Sequence, residues 1–271
     1  MSRTVFYISD GTGITAETLG HSLLTQFDQL DFKQTRIPFV DSEERAWEAV
    51  EMINDAAAKD GTRAIVFNTV VNSLLCDVLA NSNALFLDVF GTFLAPLEQE
   101  LDTQRSPHVG HAHGLIDFDR YDQRINAMNY TLSNDDGAGG EYDEADVILV
   151  GVSRSGKTPT SLYMALHHGM NAANYPLVDE DLHTHRLPAV LRAHKAKMFG
   201  LTIDPERLHQ IRQERRPDSR YAGLQQCRRE VAEAEQLFEQ EGIPYINSTQ
   251  MSIEEMAGKV MLGLGLEREL Y

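Results

Sequence analysis

A short glycine-rich segment in the second half of the chain most restricts how the chain can fold. Residues 151–158 read GVSRSGKT and fit the pattern G-x-x-x-x-G-K-[ST]. An apolar run over 146–150 precedes the segment directly, and apolar residues at helical spacing follow it over about 156–168. A buried strand, a glycine-rich turn and a helix in this order are typical of a P-loop, where backbone N–H groups and a helix N-terminus bind phosphate oxygens.

The residue types in this segment indicate how a nucleotide's phosphates would be bound. Glycines let backbone N–H groups turn inward, the lysine reaches the terminal phosphates, and the threonine hydroxyl can be a ligand to Mg²⁺. A strand-to-helix turn without a ligand is the alternative, and the flanking strand and helix favour the phosphate site over it. The predicted nucleotide-binding residues are Gly151, Val152, Ser153, Arg154, Ser155, Gly156, Lys157 and Thr158, with Thr158 also the predicted metal ligand.

Short apolar runs alternate with amphipathic stretches along the 271 residues, which predicts an α/β protein with mostly parallel sheets. The turn-rich stretch NDDGAGG at 134–140 places a domain boundary between 134 and 145. The sequence therefore predicts an N-terminal α/β domain over 1–140 and a C-terminal P-loop kinase-like α/β domain over 141–271. Predicted strands are 4–9, 35–40, 63–68, 84–89, 146–150, 172–177, 197–203 and 243–247, and predicted helices are 15–26, 43–58, 71–80, 121–132, 156–168, one from 204, 221–240 and 253–264.

The charge balance and the cysteines restrict the partners and the compartment. Lys plus Arg number 24 against 41 Asp plus Glu, for a net charge of −17. Such an acidic chain does not coat nucleic acid or an anionic membrane through its overall field. Cys76 and Cys227 form no CxxC pair, and no signal peptide or membrane-length apolar stretch is visible. We therefore expect a cytoplasmic protein with neither a nucleic-acid partner nor a membrane partner.

A cluster of arginines follows the P-loop in this otherwise acidic chain. Arginine gives planar, permanently charged donors that suit phosphate oxygens. Residues 215–220 fit a loop between two helices, which is where a lid over a transferred phosphoryl group would lie. The equal alternative is an arginine-rich surface paired with nearby acidic residues. The lid candidates are Arg212, Arg215, Arg216 and Arg220.

Acidic residues at three places are candidates for catalysis. Asp10 follows the first predicted strand within the turn SDGTG, where open α/β sheets bind ligands, although a plain strand-to-helix turn explains it nearly as well. Asp135 and Asp136 could hold Mg²⁺ or accept a proton, and turn formation is the favoured alternative. Asp204 could act as a Walker-B acid, but a helix N-cap before a proline is the stronger interpretation.

Three histidines occur close together in an irregular segment. His108, His111 and His113 have no cysteine and no further ligand cluster nearby in the sequence, so loop histidines are favoured over a metal site. One of them could act as an acid or base near neutral pH.

Blocks of residues shared with a known family run nearly the length of the chain. They cover 6–12, 14–17, 113–115, 130–137, 151–163, 172–176, 199–208, 219–222 and 246–249. With these blocks the chain resembles the bacterial phosphoenolpyruvate synthase regulatory proteins, a family that also includes regulators of pyruvate, phosphate dikinase. The dikinase regulators tend to carry Thr-Ser-Lys where this chain has Ser155, Gly156 and Lys157, so the chain is more similar to the synthase branch.

The resemblance implies a bifunctional enzyme. In one direction it would use ADP to phosphorylate a threonine of phosphoenolpyruvate synthase and inactivate it. In the other, inorganic phosphate would remove that phosphoryl group and release pyrophosphate. The resemblance also suggests a homodimer.

We expect four residues of such a site to be catalytic. Lys157 and Arg154 would neutralise the phosphates. Asp10 and Asp136, which each lie in a matching block, would orient or deprotonate the threonine. Two alternatives stay open: a P-loop kinase that phosphorylates a small molecule with ATP, and a nucleotide-gated binding module that transfers nothing.

Overall fold

The chain forms two compact units, Met1–Leu115 and Ile116–Tyr271. The computed structural model describes residues 3–27, 29–104, 118–138, 140–184, 186–217 and 219–266. Each unit contains a four-stranded sheet whose paired strands are all parallel. The predicted α/β class with parallel sheets is confirmed.

Strands and helices alternate in the first unit. In chain order its elements are β1 (Arg3–Ile8), α1 (Ile14–Leu24), β2 (Phe32–Ile37), α2 (Glu43–Asp60), β3 (Ala64–Asn68), α3 (Ser73–Leu79), β4 (Ala84–Asp88) and α4 (Val89–Glu100). The strand order is β2-β1-β3-β4. Successive side chains of a strand point to opposite faces, so Phe6 and Ile8 pack with α2 while Val5 and Tyr7 pack with α1.

The second unit repeats this arrangement. Its elements are α5 (Phe118–Ser133), β5 (Val147–Gly151), α6 (Lys157–His168), β6 (Ala172–Pro176), α7 (Asp179–Thr184), β7 (Met198–Thr202), α8 (Pro205–Arg215), α9 (Leu224–Glu241), β8 (Tyr245–Asn247) and α10 (Ile253–Leu264). The strand order is β6-β5-β7-β8. The order reverses between the central strands β5 and β7, and open α/β sheets bind ligands at the carboxyl ends of such strands.

The division between the units lies earlier than the predicted boundary between 134 and 145. Helix α5 packs within the second unit, where Thr131 Oγ1 accepts the N–H of Ala172 at 3.3 Å. The carbonyl of Asn134 accepts the N–H of Asn174 at 3.2 Å. The turn-rich stretch at 134–140 therefore connects α5 to β5 inside the second unit. The predicted domains 1–140 and 141–271 instead assigned α5 to the N-terminal domain.

Among the elements that differ from the sequence prediction, α4 and β2 do so for identifiable reasons. Helix α4 was not predicted, because Pro96 lies inside it and a helix-interior proline lacks an N–H donor. Strand β2 ends at Ile37, before the predicted 35–40 strand would, because Pro38 has no N–H and Phe39 has a φ of 58°. Across the ranges described above, no helix is both long and apolar enough to cross a membrane.

The close approach of α1 to the first sheet yields a stability test at Gly20. A Cβ there would lie 2.4 Å from Tyr7 Cε1 and 2.8 Å from Phe67 Cδ2. Overpacking costs about 1–3 kcal/mol, more than the roughly 1 kcal/mol that alanine gains over glycine in a helix. We therefore expect Gly20→Ala to lower the free energy of unfolding, measured by urea titration.

The matched control is Gly258→Ala in α10, where no neighbouring atom of the described residues lies within 4 Å of the new Cβ. This substitution should leave the free energy of unfolding unchanged or raise it by up to about 1 kcal/mol. Equal stabilisation by both substitutions would contradict the packing described for Gly20.

Candidate phosphate-binding site

The predicted P-loop joins β5 to α6 at the carboxyl edge of the second sheet. A Cβ at Gly151 would lie 2.2 Å from the carbonyl oxygen of Leu201 on β7, so a larger residue would push the central strands apart. Gly156, the last residue before α6, has a φ of 94°, a conformation that favours glycine. Backbone geometry therefore requires both glycines of the motif.

A tight turn over residues 152–155 forms the centre of the loop. The N–H of Ser155 donates to the carbonyl of Val152 at 3.3 Å, and Arg154 has a φ of 79°. A positive φ at the third residue and not the second defines a type II turn. The N–H groups of Ser153, Arg154 and Gly156 find no acceptor among the described residues, so the loop presents several donors to an anion.

Lys157 is buried at the first position of α6. Its side chain is 4% exposed, and Nζ donates to the carbonyl of Val152 at 3.0 Å. Burial lowers the pKa of Lys157 to about 8, and the nearby carboxylates of Asp136 and Asp135 oppose this shift. A buried ammonium that donates to a neutral carbonyl is poised to pair with an anion.

Asp135 contacts the threonine of the motif directly. Its Oδ1 accepts the hydroxyl of Thr158 at 2.8 Å and also accepts the side-chain amide of Asn174. Asn174 is fully buried on β6, and its Oδ1 accepts the N–H of Asp136 at 3.0 Å. One buried amide therefore holds both acidic residues beside the start of α6.

Asp136 is exposed, and its backbone adopts a φ of 50°. Its carboxylate lies close enough to Lys157 to act on that pKa. Residues Asp135–Gly137 form a 3₁₀ turn, so the favoured turn interpretation is confirmed. The same turn also places both carboxylates beside the predicted P-loop. A turn-forming role and a role at the phosphate site are therefore compatible for Asp135 and Asp136.

Three of the four lid candidates lie in the expected connection. Arg215 ends α8, Arg216 follows it, and Arg220 opens a 3₁₀ turn at Arg220–Ala222. Arg212 is different, because it lies inside α8 and is 0% exposed. Its assignment to the lid is therefore corrected. Arg154, the remaining predicted phosphate ligand, is exposed on the loop.

Arg212 instead connects α8 and α9 to the P-loop. One terminal nitrogen donates to Glu230 Oε2 at 2.7 Å and to the carbonyl of Ser153 at 3.1 Å. The other donates to the carbonyl of Tyr221 at 3.1 Å, and the guanidinium lies 4.0 Å over the Tyr221 ring. The Tyr221 hydroxyl in turn donates to Ser153 Oγ at 2.9 Å. Ser153 is thus held at both its carbonyl and its side chain.

The other acidic candidates have structural roles that the contacts define. Asp10 lies in the first unit, where its Oδ2 accepts the N–H of Val71 at 2.9 Å; its catalytic role stays a prediction. Asp204 accepts the N–H groups of Glu206 and Arg207 at 3.0 and 3.3 Å. Asp204 is therefore the N-cap of α8, as the stronger of its two interpretations predicted.

His108, His111 and His113 lie outside the described residues. In the part of the chain that the structure describes, no three His, Cys, Asp or Glu side chains gather as a metal-binding group.

A family model described as kinase/pyrophosphorylase matches residues 5–261. The match spans most of the chain, including the loop and the residues around it. The chain belongs to the kinase/pyrophosphorylase family. Family membership confirms the resemblance seen in the sequence blocks and supports a phosphotransferase.

Similar proteins extend over nearly the whole chain. The chain is 59% identical over 269 residues to a protein of Stenotrophomonas maltophilia (strain K279a), 57% to one of Xylella fastidiosa (strain M23) and 56% to one of Xanthomonas oryzae pv. oryzae (strain MAFF 311018). Each match covers 99% of this chain and 98% of the relative. All three carry the provisional name phosphoenolpyruvate synthase regulatory protein.

Sequence reasoning missed the roles of three residues that shape the candidate site. Asn174 is a buried amide within an otherwise apolar strand, and that polarity was the available signal. Glu230 gave little signal, because it is one of many charges along α9. Asn174 and Tyr221 were each noted only as part of a matching block.

The low pKa of Lys157 predicts how stability depends on pH. In the unfolded chain Lys157 keeps its proton up to about pH 10.5, whereas in the folded chain it loses it from about pH 8. Between these values the unfolded chain binds more protons, so the contribution of Lys157 to the free energy of unfolding rises with pH. We expect the native chain to gain stability relative to Lys157→Met between pH 8 and 10, measured by urea unfolding.

Lys259→Met, which removes an exposed lysine of α10, serves as the control and should follow the native chain at each pH. Native and Lys157→Met stabilities that change in parallel from pH 7 to 10 would show that the Lys157 ammonium is not desolvated.

Proposed function

We propose that this protein is a bifunctional regulator of phosphoenolpyruvate synthase. It transfers a phosphoryl group from ADP to a threonine of the synthase and inactivates it, and it uses inorganic phosphate to remove that group and restore activity. The observation that carries the proposal is the buried Lys157 beside two carboxylates, Asp135 and Asp136, at a loop where three N–H donors find no acceptor among the described residues. Family membership and the names of the relatives support the choice of reaction and partner.

Both reactions transfer one phosphoryl group, to the threonine oxygen in the first and from it in the second. In the forward direction the threonine oxygen forms a bond to the β-phosphorus of ADP, the bond to the α-phosphate bridging oxygen breaks, and AMP leaves. In the reverse direction an oxygen of inorganic phosphate attacks the phosphothreonine phosphorus, which yields pyrophosphate and the free hydroxyl. Both directions place negative charge at the loop, where Lys157 and Arg154 neutralise it.

Asp136 is our candidate for the residue that accepts the threonine proton. Its carboxylate is exposed and therefore accessible to a side chain of a protein substrate, and its backbone is held by Asn174. In the reverse direction the same carboxyl group would return the proton to the leaving threonine oxygen. Asp10, in the first unit, remains a second candidate for orienting the threonine.

The chemistry of Thr158 and Asp135 fits a magnesium ion. A hydroxyl and a carboxylate 2.8 Å apart at the start of α6 supply the oxygen ligands that Mg²⁺ prefers. Thr158 and Asp135 would hold the ion there, and it would supply positive charge against the charge that develops on the phosphates. Arg215, Arg216 and Arg220 lie on a connection between helices and are proposed to close over the same phosphates.

Lys157→Ala tests whether both directions use one site. We expect it to lower phosphothreonine formation with ADP and phosphate-dependent dephosphorylation by roughly a hundredfold or more, because each needs the same buried cation. Mass spectrometry of phosphoenolpyruvate synthase measures the first reaction, and pyrophosphate release measures the second. Lys259→Ala, at an exposed position, should retain both.

Each other outcome identifies a different function. Dephosphorylation that survives in Lys157→Ala would mean two separate sites. Turnover of a free metabolite with ATP, without any phosphothreonine, would favour a small-molecule kinase. Nucleotide-dependent binding of the synthase without phosphothreonine would favour a binding module.

Adjacent acidic residues allow a matched test of the two proposed roles. Asp135→Asn keeps an acceptor for the Thr158 hydroxyl but removes the charge, so we expect a higher Mg²⁺ concentration for half-maximal ADP binding. Asp136→Asn keeps a residue that tolerates positive φ, so ADP binding should persist while phosphothreonine formation falls by about 10²–10⁴-fold. Magnesium titrations of ADP binding and of transfer measure both; the same change in both variants would contradict the separate roles.

A further inference from the structure

The central peptide of the P-loop turn is in an orientation that its residues do not favour. The hydrogen bond from Ser155 to Val152 and the φ of 79° at Arg154 make the turn type II. Type II turns require positive φ at the third residue and therefore prefer glycine there. Rotating the peptide between Ser153 and Arg154 would give the type I form, which accepts arginine without strain. Contacts from outside the loop must therefore hold the observed form.

Arg212 supplies such a contact. Its guanidinium, with the side chain 0% exposed, donates to the Ser153 carbonyl at 3.1 Å while Glu230 pairs with it at 2.7 Å. Tyr221 fixes the guanidinium from the other side through its ring and its carbonyl, and fixes Ser153 Oγ through its hydroxyl. Rotation of the peptide would remove the acceptor from a buried arginine, which is costly.

The same hydrogen bond sets the direction of a phosphate donor. In a trans peptide the C=O and the N–H point in opposite directions. Because the Ser153 carbonyl faces Arg212, the Arg154 N–H points away from Arg212, and it has no acceptor among the described residues. The rotated peptide would instead turn a carbonyl oxygen toward the side that now offers this donor.

We propose that Arg212 is a positioning residue that holds the Ser153–Arg154 peptide in its phosphate-binding orientation. The inference rests on the phosphate site of the proposed function. Arg212 contacts no phosphate itself; it acts through the Ser153 carbonyl. It also links the loop to the α8–α9 connection, since Arg215 and Arg216 follow it along the chain. The orientation of the loop donor and the position of the lid arginines therefore depend on each other.

The test compares the effect of Arg212→Lys in two backgrounds. Lysine keeps the charge but cannot contact two carbonyls and Glu230 together. Arg154→Ala and Arg154→Gly both remove the Arg154 side chain, but only glycine takes a positive φ without strain. If Arg212 holds the peptide, Arg212→Lys should weaken pyrophosphate binding about tenfold in the Arg154→Ala background and about twofold or less in the Arg154→Gly background. Calorimetric titration of the full chains with pyrophosphate measures this.

Equal losses in the two backgrounds, or no loss in either, would overturn the proposal. So would a lack of pyrophosphate binding by both chains that retain Arg212. A purely structural role for Arg212 predicts equal losses of pyrophosphate binding in both backgrounds. A difference between the backgrounds therefore distinguishes a positioning role from a structural one. If Arg212→Lys does not fold, Tyr221→Phe takes its place, with a smaller difference of the same sign expected. Failure of the proposed function would appear as missing phosphothreonine on the synthase, with the pyrophosphate pattern intact.

Discussion

Two buried cations converge on one short loop, and the cost of burying charge explains much of the site around them. An unpaired buried charge costs several kcal/mol, and Arg212 meets this cost with Glu230 and two backbone carbonyls. Lys157 donates to the carbonyl of Val152, with the carboxylates of Asp135 and Asp136 nearby. Both terminal nitrogens of Arg212 are therefore paired within the protein, whereas Lys157 is left available for an anion.

The two buried cations therefore have different roles at the site: Arg212 supports the loop, and Lys157 is available to bind phosphate. An arginine whose two terminal nitrogens are paired and whose side chain is buried is rigid, which suits the positioning of a backbone donor. A desolvated lysine interacts strongly with a phosphate because little water competes with it. Asn174 adds a further support, since one amide positions the carboxylate of Asp135 and the backbone of Asp136. The loop and the acidic turn beside it are thus held in place by side chains from other elements.

The two units show how little topology alone determines function. Both have the same strand order, and in both a five-residue connection ending in a positive-φ glycine joins the first strand to the first helix that follows it. In the first unit that helix begins with Ile14, whereas in the second it begins with Lys157. The side chain at that position, and the acidic turn held beside it by β6, distinguish the candidate phosphate site from a plain strand-to-helix turn.

Local patterns were enough to predict the strands, most helices and the loop itself, because these depend on residues that are neighbours in the chain. The motif at 151–158 and the N-cap at Asp204 are both of this kind. Helix α4 was not predictable in this way, because Pro96 lies inside it and a helix-interior proline weighs locally against a helix.

By itself the sequence determined the α/β class, the glycine-rich loop between a strand and a helix at 151–158, and the family, since composition, spacing and matching blocks carry these directly. Only the tertiary structure decided that Arg212 belongs to the loop and not to the lid, and that α5 belongs with the second unit. It also decided that Asp135 bonds to Thr158. Each of these depends on contacts between residues distant in the chain, such as Arg212 and Ser153. Such contacts form on folding because a buried polar group without a partner costs free energy.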